Sequence, residues 1–208
     1  MRGLFILALS LLSLNTFAAG SKIDIPKYDW SWKGFFGTYD RASAQRGLKV
    51  YREVCAGCHS MDLIAYRNLA DLGFSEAHIK AIAAEYLIPD GPNDEGEMFE
   101  REAIPSDRFA NPYPNVQAAR AANNGAYTPD LSLIVKARPK GADYLKALLL
   151  GYVEAPADKE IPEGQYYNKY MDGNLIAMPS PLSEGIVDYD DGTEATMDQM
   201  ATDVTTFL

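Results

Sequence analysis

Two thiols and an imidazole share one helical turn in this chain. Cys55 and Cys58 are its only cysteines, and His59, one of only two histidines, follows directly in "VCAGCHS". No disulfide framework can form elsewhere, so the fold must be held by a packed core. Upstream, Ala44, Leu48, Tyr51 and Val54 recur at spacings of four and three, the period of a helix with one apolar face. The cysteine stretch closes that helix. Gly47, within it, lacks a side chain and would let another backbone approach closely.

The N-terminus fixes the redox setting of these thiols. Arg2 precedes the apolar run Leu4–Leu14, and small residues follow in "NTFAAG". The run is too short to span a bilayer and has the layout of a signal peptide, residues 1–18, ahead of a domain at 19–208. An uncleaved N-terminal anchor is the alternative. An exported protein meets an oxidising compartment, where a disulfide is the ordinary fate of two cysteines. A Cys-x-x-Cys redox couple would need a βαβ context, for which there is no pattern. Zinc would need two further ligands, and His78 is the only other histidine. The remaining chemistry is covalent attachment of one haem c. Thiols three residues apart on a helical turn can each add to a porphyrin vinyl group, and the following histidine coordinates the iron.

Charge narrows the partners. The chain holds 19 Lys and Arg against 29 Asp and Glu, with a formal charge of −10. Phosphate binding needs clustered cations, so nucleic acid is an unsuitable partner, whereas a basic protein would be steered inward. Residues 90–102 carry six acidic groups and one basic, and residues 184–198 carry six and none. Each run could be no more than a solvated surface; together they offer a docking field.

Other elements can be read along the chain. Residues 20–40 are an aromatic-rich extended arm. Ser75 caps a helix over 75–88, and 89–115, with five prolines, reads as irregular. Asn115 caps a helix stopped at Gly125; "DLSLIVKA" and "GADYLKALLLGYV" are further helices. A closing helix places Met197, Met200, Ala201, Val204, Phe207 and Leu208 on one face. The fold class is therefore mainly α, of the c-type cytochrome kind, with long irregular insertions and little β.

The sixth ligand decides what a haem iron does. His78 lies on a helical pattern and reads as a surface residue. Met61 is too near His59 in sequence to reach the opposite face. Met197 and Met200 suit core packing, Met98 sits in an acidic tract, and Met171 precedes a turn. Met178, in "NLIAMPSPL", has apolar residues before it and Pro179 and Pro181 stiffening the loop behind. It is the first choice, with core filling as its alternative.

Beyond these readings, "VYREVCAGCHSM", "YRNLA", "QAARAANNGAYTPDLSLI", "YNKYMDGNLIAMPSPL" and "DVTTFL" resemble the cytochrome c1 family, the haem subunits of cytochrome bc1 complexes. These stretches span most of the chain after the signal. The resemblance implies thioether bonds from Cys55 and Cys58, His59 as proximal ligand and Met178 as distal. It implies Arg120 paired with a haem propionate, and Asn124, Tyr127, Pro129 and Leu131 lining the pocket. The Pro129 carbonyl would accept the His59 N–H.

The implied function is electron transfer from the Rieske iron–sulfur protein to a soluble basic cytochrome c, beside cytochrome b, with no catalytic residues of the chain's own. The implied location is the periplasmic face of the bacterial inner membrane. Family members carry a C-terminal membrane anchor, which is missing from this sequence, so the chain is expected to be a piece of a longer protein. Two alternatives remain: a periplasmic c-type cytochrome serving another dehydrogenase, and a haem enzyme with an open sixth position.

Overall fold

The computed structural model describes residues 23–208; the signal segment lies outside them. Among the described residues six α-helices carry the fold: α1 (Arg41–Val50), α2 (Glu76–Ala84), α3 (Val116–Ala122), α4 (Ile134–Ala137), α5 (Gly141–Leu150) and α6 (Met197–Phe207). Two short antiparallel pairs join them: β1 (Leu87–Asp90) with β2 (Phe99–Glu102), and β3 (Tyr166–Tyr167) with β4 (Leu175–Ile176). The chain is mainly α, as its periodicity implies. No helix of the described residues is long and apolar enough to cross a membrane.

The centre is the crossing of α1 and α6. Asp40 starts α1, its carboxylate accepting from the Ser43 N–H at 3.0 Å. Gly47 is where the helices meet: a Cβ there would lie 2.0 Å from the Asp203 carbonyl oxygen. Around this contact Leu48, Val50, Tyr51, Met200, Ala201 and Val204 are buried. Each large side chain so enclosed contributes on the order of 1.5–3 kcal/mol. Asp203 is fully buried too, and Arg46 meets it with two N–H groups at 2.9 and 3.1 Å. Ser43 and Gln199 donate to the same carboxylate at 2.7 and 3.0 Å. Such a charge is tolerable only because its oxygens are so fully partnered. Hydrogen bonding to Asp203 in turn raises the Arg46 pKa against the opposing effect of burial. Tyr66 and Phe109 stack at 4.8 Å beside Tyr51 and extend the core.

The N-terminal arm packs on α5. Tyr28 N–H and Trp30 Nε1–H both donate to Asp143, at 3.1 and 2.7 Å. Trp30 is buried and stacks on Trp32 at 4.8 Å.

Four sequence expectations need correction. The helix capped by Ser75 ends at Ala84 rather than at residue 88, because Leu87 and Ile88 enter a strand. Consequently the tract 89–115 is not wholly irregular: it contains the returning strand β2, and Arg101 ties the hairpin by binding both Asp90 and Asp107. Met197, assigned to the apolar stripe of α6, is 38% exposed; the buried face is instead Met200, Ala201 and Val204 with polar Asp203, Thr205 and Thr206. Sequence period alone could not show that α1 brings polar partners to this face. "DLSLIVKA" gives only the single turn α4.

Candidate functional site

The Cys-x-x-Cys-His stretch is the end of the first helix. α1 runs into a π-helical turn over Tyr51–Cys55, and the N–H groups of Cys58 and His59 both return to the Cys55 carbonyl, at 3.1 and 3.0 Å. This tight coil gathers two sulfur atoms and one imidazole at one helix end. Both cysteines are free thiols, Cys55 half-buried and Cys58 exposed. Burial, with a smaller contribution from Cys58, pushes the Cys55 thiol up to about 12. A thiol so protonated at neutral pH is a poor nucleophile for disulfide exchange. Nor does any group of three or more His, Cys, Asp or Glu among the described residues have the arrangement of a metal cage.

His59 is half-buried, and its Nδ1 lies 2.8 Å from the Pro129 carbonyl oxygen. A carbonyl can only accept, so Nδ1 carries the proton and Nε2 keeps its lone pair. Burial lowers the His59 pKa, outweighing the Pro129 bond and the nearby Asp130 charge. The ring is thus neutral at neutral pH with one nitrogen available to a metal. Its orientation is fixed from behind, as ligating histidines require.

Segment 129–132 supplies that backing. Asp130 Oδ2 accepts from Ser60 Oγ–H at 2.8 Å and Asp62 N–H at 2.7 Å, while Oδ1 accepts from Ser132 N–H at 2.9 Å. Leu131 N–H donates to the Ser60 carbonyl at 2.9 Å, and its side chain is buried. Leu63 N–H donates to Ser132 Oγ at 3.0 Å. From the other side, Tyr51 O–H donates to the His59 carbonyl at 3.1 Å. Burial opposes the Asp130 charge, but the hydrogen bonds prevail and hold its pKa below the usual value.

Arg120, on α3, and Tyr127, past its end, form a second group. Arg120 is exposed; its Nη1–H donates to the Gly125 carbonyl at 2.9 Å and its guanidinium lies 5.3 Å from the Tyr127 ring centre. It makes no salt bridge with a carboxylate among the described residues. Asn124 has a φ of 52°, the left-handed turn that ends the helix.

Met178 stands apart again. It is half-buried, two residues past the end of β4 and just before Pro179, and Tyr152 O–H donates to its carbonyl at 3.0 Å. Its rivals are otherwise engaged. Met61 and Met200 are core residues, Met98 is 66% exposed, and Met171 Sδ accepts from Tyr144 O–H at 3.6 Å. His78 lies exposed on α2. Among the described residues no hydrogen bond links Met178 or Arg120 to the 55–59 turn.

Sequence reasoning missed Tyr51, Ser60, Asp130, Ser132 and Tyr152. Only Asp130 left a local signal, the Asp-x-Ser spacing of a side-chain-capped turn. A groove of about 540 Å³ runs along α1 past Arg46, Lys49 and Arg52. Each of these cations is already paired with a carboxylate, so the groove presents no free charge.

A helical core with two free thiols and a metal-ready imidazole on one turn fits the c-type cytochrome class. Comparison with known proteins is more specific. The Cytochrome C1 family pattern matches residues 30–208. The chain is 50% identical to "Cytochrome c1-2, heme protein, mitochondrial" of Solanum tuberosum, over 95% of this chain and 78% of that protein. It is 46% identical to "Cytochrome c1" of Rhodospirillum rubrum, over 89% of this chain and 74% of that one. It is also 51% identical to "Cytochrome b/c1" of Bradyrhizobium diazoefficiens, over 97% of this chain but only 33% of that protein. The chain thus spans about a third of one relative and about three quarters of the other two. It belongs to the cytochrome c1 family.

Proposed function

We propose that this chain is the haem-carrying subunit of a cytochrome bc1 complex. It would relay single electrons from the Rieske iron–sulfur protein to a soluble basic cytochrome c, alongside cytochrome b. The observation that carries this reading is the His59 Nδ1–Pro129 carbonyl contact of 2.8 Å, which leaves Nε2 for an iron at the turn that also holds two free thiols.

When bound, the haem supplies a one-electron couple. Cys55 and Cys58 would hold it through thioethers, and His59 would offer Nε2 to the iron. Met178 would offer its thioether as the other protein ligand; a methionine paired with a histidine favours a high potential. Arg120, paired with no carboxylate among the described residues, would be the cation for a propionate, which a planar guanidinium can bind bidentately. Asn124, Tyr127, Pro129 and Leu131 line the pocket. The chain's own residues perform no bond chemistry.

Export by the segment 1–18 puts the domain 19–208 on the periplasmic side of a bacterial inner membrane, with attachment by a C-terminal anchor as in the family. The acidic residues of 90–102 and 184–198 supply the field for a basic cytochrome c, and residues 91–98 are exposed throughout.

The test is a pyridine haemochrome spectrum with haem staining on a denaturing gel. A c-type spectrum with retained stain is expected; colourless protein, or pigment removed by acid acetone, would refute the reading. Raising ionic strength should slow reduction of a basic cytochrome c, and a rate indifferent to salt would remove the acidic field from the account.

A further inference from the structure

We propose that Asp130 is a positioning residue that sets the donor strength and orientation of the His59 ring through the Pro129 carbonyl. The proposal rests on His59 ligating the haem iron. Pro129 has no side-chain means of holding its own carbonyl against the imidazole, and its backbone must be fixed by its neighbours. Asp130 does this from the adjacent position. Its carboxylate accepts three hydrogen bonds at 2.7–2.9 Å, two from the segment just after His59 and one from Ser132 two residues further on. Two segments 68 to 70 residues apart in sequence are thereby clamped on either side of the 2.8 Å contact.

A merely structural clamp could have been apolar. A carboxylate adds a negative charge next to the ligand, and that charge favours the oxidised iron. A firm Nδ1–H bond to a carbonyl acts in the same direction, because it makes the imidazole a stronger donor. Loss of Asp130 therefore raises the potential by both routes.

Substitutions separate the routes. Asp130→Asn keeps the shape but removes the charge and sets an amide N–H against the Asp62 N–H or the Ser60 hydroxyl. Asp130→Glu keeps the charge and lengthens the arm. Ser60→Ala removes a single donor and leaves the carboxylate in place. Asn68→Ala, which deletes the nearby acceptor of the Ala65 N–H at 2.9 Å and touches nothing in the clamp, serves as a purely structural control.

The measurements are a potentiometric titration and the solvent-exchange rate of the His59 Nδ1–H by NMR, on haem-loaded protein checked by its haemochrome spectrum. Asp130→Asn should raise the equilibrium constant for reduction about tenfold, equivalent to about 59 mV for one electron. Nδ1–H exchange should accelerate. Asp130→Glu and Ser60→Ala should give smaller changes of the same sign, and Asn68→Ala should lower the melting temperature without moving the potential. If Asp130→Asn does not fold, Ser60→Ala decides. Unchanged potential and exchange in the clamp variants that fold, with haem in place, would overturn the proposal. Absence of covalent haem from the unmodified protein would instead overturn the function proposed above.

Discussion

His59 and Met178 would approach one iron from opposite sides, yet their segments are built differently. The histidine follows directly on a helix end. Its ring nitrogen, its carbonyl and three of the next four residues, Ser60, Asp62 and Leu63, are tied to Tyr51 and to 129–132 by a set of hydrogen bonds at 2.7–3.1 Å. The methionine lies in a loop tied by one bond from Tyr152, with two prolines and a two-residue β pair for stiffness. Its bracing is one step removed. Asn168, fully buried, donates to the Leu148 carbonyl at 2.8 Å and accepts from Tyr170 N–H at 3.0 Å, docking the β3–β4 region on the end of α5. A tie made by many short bonds resists the loss of one. A segment held by a few contacts can open while its surroundings stay folded. The histidine side should therefore fail only when its attachment chemistry is removed, and the methionine side should yield to single substitutions.

The largest contrast comes from the ligands themselves. Replacing Cys55 and Cys58 together by serine should abolish haem staining on a denaturing gel. Met178→Leu should leave the stain intact, remove the near-infrared methionine–iron band, lower the potential and admit carbon monoxide to the reduced protein. If Met178→Leu leaves the optical spectrum unchanged, the sixth ligand lies elsewhere and the two-sided comparison collapses. Next in size is Asn168→Ala. It leaves the Tyr170 N–H without its acceptor and takes one donor from the Leu148 carbonyl, which keeps the Gly151 N–H at 3.1 Å, at a cost of roughly 1–3 kcal/mol in chemical unfolding. It should also speed carbon monoxide binding; destabilisation without faster binding would detach the brace from the Met178 loop.

Legibility in the amino-acid sequence follows the reach of each contact. The first helix, the capping at Ser75 and Asn115, and the close approach at Gly47 rest on contacts within a few residues or on a missing side chain, and all have local signatures. The β1–β2 hairpin does not. All of its residues are at least partly exposed, so no alternation of apolar and polar residues marks it, and its pairing spans the polar turn 91–98. Asp130 is invisible as a clamp because two of its three partners lie 68 to 70 residues upstream. Arg120, Asn124, Tyr127, Pro129 and Leu131 rest on family resemblance and not on pattern. The structure brings only Pro129 and Leu131 of these into direct hydrogen bonding with the cysteine–histidine segment.

The finest test of the comparison is Tyr152→Phe. Tyr152 is half-buried, and burial raises its hydroxyl pKa above the ordinary value, so at neutral pH the group is a neutral donor to the Met178 carbonyl. Phenylalanine keeps the ring and its packing and deletes one neutral hydrogen bond, which costs about 1 kcal/mol. Global stability should fall by about that amount in denaturant titration. If the loop is as lightly tied as its contacts indicate, the same substitution should weaken the methionine–iron band on warming well before the protein unfolds. Tyr51→Phe, which deletes the matching hydroxyl bond to the His59 carbonyl, should lower stability by a similar amount and leave that band unaffected until global unfolding. Equal thermal behaviour of the two variants would mean that both faces are held as one unit, and that the density of hydrogen bonds around His59 does not distinguish it from Met178.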